Sequence, residues 1–339
     1  MRLGLTLLIS LAIISCDDNS VVPPNPGNIS AADVLVANEG GFQRGNASLG
    51  LYNVLENVYE TSIYQNNNNE PLGDVLQSIN TLNGQYWLVL NNSGKIVIID
   101  SISLKKVDQI NGLVSPRFIQ FSSNGKKAFV SDLYGDEITV INTTSRAITN
   151  RISLDGWADQ MARIGQQIYV ANREKPYVYV ISEVSETVVD SIMIPNNPNS
   201  LIWLRDSLIG VLCEGKLGSS DRTKFQVIHV GQKTLLKEHT FDEGVKPSLL
   251  RKSPRNGNIY CAFKGIHYID PVDFEYQYKT IDLPDANVYG FDIDPSNGNM
   301  YVSDAKDYVQ KSTVRVYSNS EDFKQEFTAG VICNQLIFR

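Results

Sequence analysis

An all-β fold built from repeated units is predicted by three observations on the 339-residue chain. A five-residue apolar pattern recurs along the chain. The last residues of successive copies lie 40 to 53 positions apart, and the segments between the copies contain short β-rich runs. The clear copies, which end in Asn or Asp, are 34–38, 87–91, 128–132, 168–172 and 300–304, and the weaker copies are 209–213 and 259–263. A period near 40 residues with short strands is typical of the blades of a β-propeller. Seven copies therefore predict a seven-bladed β-propeller.

One unit, residues 115–154, contains the four strands of such a blade in order. Residues 116–121 are a first strand, a Ser-Ser-Asn-Gly turn follows, and residues 127–131 are the second strand. Residues 137–141 alternate polar and apolar side chains as a third strand, and residues 147–152 are the fourth. Alternation with a period of two, bounded by Asn, Gly and Asp, indicates antiparallel hairpins.

The chain begins and ends at a different point of this four-strand order than a complete blade would. The third strand recurs at 96–100, 178–182, 225–229 and 314–318, and the fourth recurs at 188–192 and 278–282. However, residues 34–38 match a second strand, and residues 334–338 resemble a first strand. We therefore expect the C-terminal strand to complete the first blade and close the ring, which removes free sheet edges.

Composition and charge exclude several classes of protein. Hydrophobic residues make up 42% of the chain and charged residues 20%, which is typical of a globular protein and not of a disordered one. The formal net charge of −7 argues against nucleic-acid binding, which requires a basic surface. Beyond the N-terminus, no stretch reaches the roughly 18 apolar residues that a membrane-spanning helix needs.

The N-terminal segment predicts an exported, lipid-anchored protein. Residues 1–15 combine a short positive start with an apolar run too short to span a membrane, as in a signal peptide. The Ile-Ile-Ser sequence before Cys16 resembles a bacterial lipobox, so Cys16 is the expected lipidation site; the alternative is a chance cysteine after a secretory signal. The Asp-Asp-Asn sequence that follows resembles an export signal for the outer face of an outer membrane. Residues 16–32 are then a Pro-rich tether to a propeller at 33–339.

The three other cysteines, Cys213, Cys261 and Cys333, are an odd number that raises the question of a disulfide in an exported protein. Cys213 and Cys261 fall on comparable strands of neighbouring blades, which are too far apart to bridge. We therefore expect buried free thiols.

Catalysis has little support in the sequence. The nucleophile-elbow, zinc-protease and phosphate-loop motifs do not occur. His229 ends a third strand, His239 lies on a fourth strand and His267 begins a third strand, and no two of them have metal-ligand spacing. The chain is therefore expected not to be an enzyme, to bind no metal and to hold no cofactor.

The expected binding site is one end of the ring. In each blade, the loop after the second strand and the approach to the first strand lie at the same end, around the mouth of the central channel. Aromatic, amide and arginine side chains there suit a large amphipathic ligand. The candidate ligand-binding residues are Phe42, Asn92, Arg117, Tyr134, Trp157, Gln160, Arg173, Tyr289 and Tyr308. The alternative is that such side chains are common on propeller rims without any ligand.

Several segments resemble the YncE-like surface-layer lipoproteins. They are Asn-Glu-Gly-Gly-Phe at 38–42 with Gly-Asn-Ala-Ser at 45–48, the segments 72–78, 91–95 and 115–118, and the C-terminal segment 289–308. The resemblance covers nearly all of the mature chain. Within this family it is closest to the BtuG-type proteins.

This resemblance implies a lipid-anchored protein on the surface of the outer membrane that captures cobalamin and passes it to a TonB-dependent transporter of the BtuB type. Cobalamin is then a ligand and not a cofactor, the lipid anchor is the only membrane contact, and nucleic acid is not a partner. An apolar corrin edged with amides, with one phosphate, suits aromatic, amide and arginine side chains. The alternatives are a glycan- or siderophore-binding lipoprotein, an adhesion or protein-interaction module, and a propeller enzyme.

Overall fold

The computed structural model describes residues 33–194, 197–214 and 220–339. In these ranges the chain forms seven antiparallel sheets of four strands each, which confirms the predicted seven-bladed β-propeller. The predicted signal peptide, Cys16 and the tether lie outside the described residues.

The first blade combines both ends of the chain, as predicted. From the axis outward it contains Cys333–Phe338 (β28), Asp33–Asn38 (β1), Ser48–Asn53 (β2) and Val58–Glu60 (β3). Strand β28 pairs antiparallel with β1, with Phe338 opposite Val34. The only helix among the described residues, Ile63–Asn68 (α1), follows this blade and buries Ile63 and Tyr64 in the adjacent core.

The other six blades each use four consecutive strands, which run in chain order from the axis outward. Blade 2 contains Leu76–Leu82 (β4), Gln85–Leu90 (β5), Lys95–Asp100 (β6) and Lys106–Asn111 (β7). Blade 3 contains Pro116–Phe121 (β8), Lys127–Asp132 (β9), Glu137–Asn142 (β10) and Ile148–Ser153 (β11). Blade 4 contains Ala158–Ile164 (β12), Gln167–Asn172 (β13), Tyr177–Ser182 (β14) and Thr187–Met193 (β15).

The remaining three blades follow the same order. Blade 5 contains Pro198–Arg205 (β16), Leu208–Cys213 (β17), Lys224–His229 (β18) and Thr234–Thr240 (β19). Blade 6 contains Ser248–Lys252 (β20), Ile259–Ala262 (β21), Gly265–Ile269 (β22) and Tyr276–Asp282 (β23). Blade 7 contains Val288–Ile293 (β24), Met300–Asp304 (β25), Lys311–Tyr317 (β26) and Phe323–Val331 (β27).

The recurring five-residue pattern forms the second strand of each blade. Strands β1, β9 and β13 are buried at nearly every residue, whereas the fourth strands β11 and β15 are mostly exposed. A strand buried on both faces carries a continuous apolar run instead of an alternating one. The pattern therefore marks the layer of each blade that packs against both neighbouring blades.

The Asp or Asn at the end of the pattern organises the loops at that end of the blade. Asp132 accepts hydrogen bonds from the amides of Tyr134 at 3.0 Å and Gly135 at 2.7 Å, and from the amide of Ser115 at 2.7 Å. Asn172 accepts equivalent bonds from the amides two and three residues further on, at 3.0 and 2.9 Å. This short acceptor shapes the loop after the second strand, as Asx turns do.

Seven hydrophobic cores of the described residues hold the ring together, and each lies between two adjacent blades. Trp87 of blade 2 packs edge-on against Phe121 of blade 3, with ring centroids 5.3 Å apart. Tyr52 of blade 1 stacks on Phe327 of blade 7 at 3.8 Å, across the seam where the chain ends meet. Since each core needs two blades, the blades stabilise one another.

Side chains satisfy the inner edges of the first strands, which face the channel. Gln335 of blade 1 accepts a bond from the Ile79 amide of blade 2 at 2.8 Å and donates to the Ile79 carbonyl at 3.1 Å. Asn80 of blade 2 donates to the Ile119 carbonyl of blade 3 at 2.9 Å. Three other interfaces between adjacent blades have a similar bond. The Leu201 amide donates to Gln160, the Leu250 amide donates to Ser200, and the Leu336 amide donates to Asp292. Edge groups that would otherwise invite another strand are thereby occupied.

Cys213, Cys261 and Cys333 are buried free thiols, and burial raises the pKa of each. His267 lies in the middle of β22 and not at the start of a third strand, because that strand begins at Gly265. Within the described ranges, no cluster of His, Cys, Asp and Glu has the arrangement of a metal site. The same ranges contain no helix with the length and apolarity needed to cross a membrane.

Candidate functional site

A cavity of about 580 Å³ follows the axis of the ring. We call its upper end the one where second strands lead into third strands, and Glu39, Arg173 and Glu214 line it there. Asn80 and Lys252 line the opposite, lower end. This volume is in the range of small-molecule sites, which are roughly 300–1,000 Å³.

The second residue of each first strand lines this cavity. First strands enter from the upper end, so the strand topology brings these side chains together from distant parts of the chain. They are Gln77, Arg117, Asp159, Asn199, Leu249, Tyr289 and Asn334. Seven similar blades thus contribute different side chains, and the site is asymmetric although the backbone repeats.

Glu39 is a buried carboxyl group at the upper end, directly after β1. Its Oε1 accepts hydrogen bonds from Asn334 Nδ2 at 3.0 Å and the Tyr289 hydroxyl at 3.2 Å, and Gln77 Nε2 lies 3.5 Å away. From the described residues, its Oε2 accepts only the Tyr289 hydroxyl, at 3.1 Å. Burial raises the pKa of Glu39 from 4.5 to about 7, and the Arg117 charge opposes this rise only in part.

Two backbone positions close to the Glu39 cluster are strained. Val75 has φ 58° and Ile332 has φ 54°, in the left-handed region that β-branched residues avoid. They directly precede the strands that carry Gln77 and Asn334, and the Ile332 carbonyl accepts the Glu39 amide at 2.8 Å. Such strain costs on the order of 1–2 kcal/mol per residue and is concentrated at functional sites.

Two arginines and two carboxylates form a chain along one side of the upper end. Arg117 Nη1 donates to Gln77 Oε1 at 2.8 Å, and its Nη2 lies 3.4 Å from Asp159. Arg173 lies 3.3 Å from the same carboxylate and 3.4 Å from Glu214. The four charges cancel, so neither arginine is a free cation. Removing one member would leave a partner uncompensated, which is strongly destabilising where the partner is buried.

Three buried polar atoms of cavity-lining side chains have no hydrogen-bond partner among the described residues. They are Arg117 Nε, Asn199 Oδ1 and Asn334 Oδ1. Unsatisfied buried polar atoms are rare in native proteins, and each calls for a water molecule or ligand nearby. All three lie at the upper end: Asn334 beside Glu39, Arg117 in the arginine chain, and Asn199 beside Glu214.

Four of the predicted site residues line the cavity: Arg117, Gln160, Arg173 and Tyr289. Gln160 is occupied at the blade seam, where it accepts a bond from the Ser200 hydroxyl at 2.8 Å. The pKa of Tyr289 is raised, mainly by burial and then by the Glu39 charge, so its hydroxyl remains a donor at neutral pH.

The other predicted residues lie outside the cavity, on loops around the upper end. Phe42 and Tyr134 are each 64% exposed and Tyr308 is 46% exposed. Tyr134 packs edge-on against Trp157 at 5.7 Å, and Tyr308 packs edge-on against Tyr289 at 5.6 Å. These rings therefore form an exposed aromatic rim around a polar mouth.

Asn92 has a local structural contact. Its Nδ2 donates to the Asp74 carboxylate at 2.6 Å, which ties the loop after β5 to the segment before β4. This bond links two loops of the same blade and leaves less of the Asn92 side chain for a ligand.

The sequence interpretation missed three charged residues of the site: Glu39, Asp159 and Glu214. Glu39 and Glu214 each follow a second strand directly, and Asp159 lies between the predicted residues Trp157 and Gln160. The position after the recurring pattern and the second position of each first strand are the signals that would have identified them.

A second, smaller cavity of about 190 Å³ lies between blades 5 and 6. His267 Nε2 donates to the Phe263 carbonyl at 2.8 Å, so its Nδ1 accepts from the Tyr276 hydroxyl at 3.0 Å. The His239 ring stacks on Tyr276 at 4.8 Å. Burial lowers the pKa of both imidazoles, which keeps them neutral at pH 7. These contacts are those of packed aromatic side chains between blades.

Solved structures of similar fold include enzymes, at low sequence identity. A quinonprotein alcohol dehydrogenase-like protein from Bacteroides thetaiotaomicron has TM-score 0.69 and 14% identity, over 91% of this chain and 78% of that one. The periplasmic gluconolactonase of Pseudomonas aeruginosa has TM-score 0.69 and 14% identity, over 91% and 98%. Hydrazine synthase of Kuenenia stuttgartiensis has TM-score 0.60 and 12% identity, over 74% and 85%. At these identities the likeness establishes the propeller fold alone.

Sequence comparison identifies the family. No curated protein matches the chain significantly. The model of the family described as "Domain of unknown function (DUF5074)" matches residues 33–217, which is more than half of the chain. The match begins with β1 and continues through the first four blades and into the fifth. The chain therefore belongs to the DUF5074 family of β-propeller domains.

Proposed function

We propose that this protein is a non-catalytic surface lipoprotein that captures a corrinoid such as cobalamin at the upper end of the ring. The observation that carries the proposal is the combination of an exposed aromatic rim with a polar mouth. Phe42, Tyr134 and Tyr308 expose apolar area around the amide and arginine side chains of the channel. A flat apolar macrocycle edged with amides has the matching distribution of surfaces.

Packing of the corrin on the rim would supply most of the affinity. Apolar area contributes roughly 25 cal/mol per Å² removed from water, and aromatic residues dominate many interfaces. The macrocycle would lie across the mouth and extend one amide side chain into the channel towards Asn334 and Glu39. Because the closed ring of blades is already ordered, little conformational entropy would be lost on binding.

Anchoring and delivery complete the proposal. A lipid on Cys16 would hold the domain at the outer membrane by a tether of residues 16–32, and a TonB-dependent transporter of the BtuB type would receive the ligand. This part is supported by the lipobox-like sequence and by the resemblance to BtuG-type proteins. A lipid chain converts a soluble domain into an anchored one, and stable anchoring requires more than a single chain.

Calorimetry with cyanocobalamin tests the capture directly. The full chain in detergent should release heat on titration, and Tyr308→Ala should weaken binding by about tenfold, because truncating an aromatic anchor typically costs about 1 kcal/mol or more. Phe323→Ala is the matched control. Phe323 is also exposed and also packs edge-on against a tyrosine, but it lies at the lower end of the same blade.

The result that would end the corrinoid proposal is an absence of both heat and a change in cobalamin absorbance at micromolar concentrations. Equal weakening by Tyr308→Ala and Phe323→Ala would show that the upper rim is not the site. A glycan or siderophore panel would then be the next set of ligands.

One observation favours hydrolysis as a second candidate function. Glu39 has a pKa of about 7 beside Tyr289 and Arg117, and a carboxyl group that titrates near neutral pH suits general acid–base catalysis. One structural neighbour is a gluconolactonase. Hydrolysis of gluconolactone that Glu39→Gln abolishes would favour this candidate, whereas corrinoid binding without such hydrolysis would favour capture.

A further inference from the structure

We propose that Glu39 is a specificity-determining residue of the upper mouth, which admits an uncharged amide side chain of the ligand and rejects a carboxylate. The inference rests on the proposed capture of a corrinoid and goes beyond it, because it states which chemical group enters the channel. It is carried by the hydrogen bonds and the charge balance around Glu39.

The two oxygens of Glu39 differ in how many donors they receive from the described residues. Oε1 has Asn334, Tyr289 and Gln77 around it, at 3.0, 3.2 and 3.5 Å. Oε2 has only the Tyr289 hydroxyl, at 3.1 Å. A carboxylate oxygen accepts two or more hydrogen bonds, so Oε2 retains capacity for a ligand group.

Among the described side chains that line the upper end of the cavity, neither cation is free to pair with an entering anion. Arg117 and Arg173 share Asp159, and Arg173 also lies beside Glu214. Those four charges balance, and ionised Glu39 adds one uncompensated negative charge. The other titratable groups near Glu39 are Tyr289 and Cys333, and both remain neutral at pH 7 because burial raises their pKa. A carboxylate that enters the cavity beside Glu39 would therefore meet repulsion, with no unpaired cation among the side chains that line this end of the cavity.

An amide and a carboxylate respond differently to the protonation of Glu39. An amide offers N–H donors to the ionised form and a carbonyl acceptor to the protonated form, so it pairs with both. A carboxylate pairs only with protonated Glu39, so its binding requires uptake of a proton from solvent. Because the pKa of Glu39 is about 7, that uptake becomes progressively unfavourable above neutral pH.

The experiment compares cyanocobalamin with the acids made by hydrolysing one of its propionamide side chains to a propionate. Affinities are measured by calorimetry on the full chain between pH 5.5 and 8.5. We expect at least one acid to bind more weakly than cyanocobalamin. The affinity gap, which is the ratio of the two dissociation constants, should widen by about tenfold per pH unit above pH 7, as linkage of one proton requires.

Glu39→Gln should abolish the pH dependence of that gap, because glutamine cannot exchange the proton. Glu174→Gln is the matched control, since Glu174 is exposed on a loop at the same end, and it should keep the gap. Tyr289→Phe is a second, conservative variant. It removes a donor that lowers the pKa of Glu39, so the gap should open at higher pH than in the wild type.

Three results would overturn the inference while leaving corrinoid capture intact. They are equal affinity of every acid and cyanocobalamin at pH 8.5, an unchanged gap in Glu39→Gln, and an opening of the gap at lower pH in Tyr289→Phe. Absence of cyanocobalamin binding at every pH would overturn the proposed function, and this inference with it.

Discussion

Glu39 links ligand chemistry to stability, because the folded protein holds its proton more tightly than the unfolded chain does. Burial raises its pKa from 4.5 to about 7 in the folded state. Below pH 4.5 the group is protonated in both states and carries no penalty. Between pH 4.5 and 7 the folded state binds more protons, so its stability falls as pH rises, by on the order of 3 kcal/mol in total.

Glu39→Gln should remove this decrease in stability between pH 4.5 and 7. Urea unfolding at pH 4, 5.5, 7 and 8.5 should show that the free energy of unfolding of the variant, relative to wild type, rises across this range and levels off above pH 7. Glu174→Gln should follow the wild-type profile. Parallel profiles of wild type and Glu39→Gln would mean that Glu39 is ionised in the folded protein well below pH 7.

Single residues of the site were predictable only where local sequence determines their position. Arg117 and Tyr289 were identified because the repeat places them at the mouth. The properties of Glu39 come from Tyr289, 250 residues away, and Asn334, 295 residues away. A glutamate after a strand has the appearance of a solvated loop residue, since the burial that changes its pKa is absent from its own segment.

Among the elements, the first strands depend on side chains of neighbouring blades. Gln335 satisfies both the amide and the carbonyl of Ile79, as a neighbouring strand would. We expect Gln335→Ala to lower the free energy of unfolding by about 2 kcal/mol, because two edge groups lose their partner. Gln232→Ala, at an exposed turn, should cost less than about 0.5 kcal/mol.

Chemical denaturation of the two glutamine variants provides this comparison. If Gln335→Ala unfolds at the same urea concentration as Gln232→Ala, water in the channel replaces the lost bonds and the inner edges need no side-chain partner. An unchanged m-value in both variants would show that the change is one of stability and not of compactness.

The strands themselves were predictable because each has a local signature. The second strands are continuous apolar runs, since they are buried on both faces, and Asp132 and Asn172 end them with the acceptor that the next loop needs. In blades 5 and 6 the corresponding positions are Cys213 and Phe263, so the pattern weakens there. Helix α1 was not predicted, because its Ile-Tyr-Gln-Asn-Asn-Asn sequence has little helical pattern, and tertiary packing of Ile63 and Tyr64 holds it.

At the scale of the whole molecule, the ring depends on its last strand. Deleting residues 334–339 would remove most of β28, the bonds of Asn334 and Gln335 to blade 2, and the bond from Leu336 to Asp292. We expect the midpoint of thermal unfolding to fall by about 10 °C or more, because two seams of the ring lose contacts together.

A circular rearrangement is the matched control for this deletion. Residues 333–339 placed before residue 33 through a short Gly-rich turn should restore the melting temperature, since Phe338 already lies opposite Val34 in an antiparallel pair. A truncated protein that melts with the full chain would show that β28 adds little to closure. Failure of the rearranged chain to recover would show that the deleted residues act other than as this strand.

The pairing of β1 with β28 also imposes an order on biosynthesis. Strand β1 is the first strand of the ring in chain order and its inner neighbour β28 is the last, so the two are synthesised far apart in time. At roughly 5–20 residues per second, β1 waits for tens of seconds with one side unpaired. Throughout that interval a complete second strand of apolar character is available to wrong partners. A chaperone that holds unpaired strands until β28 is available would protect a chain of this kind.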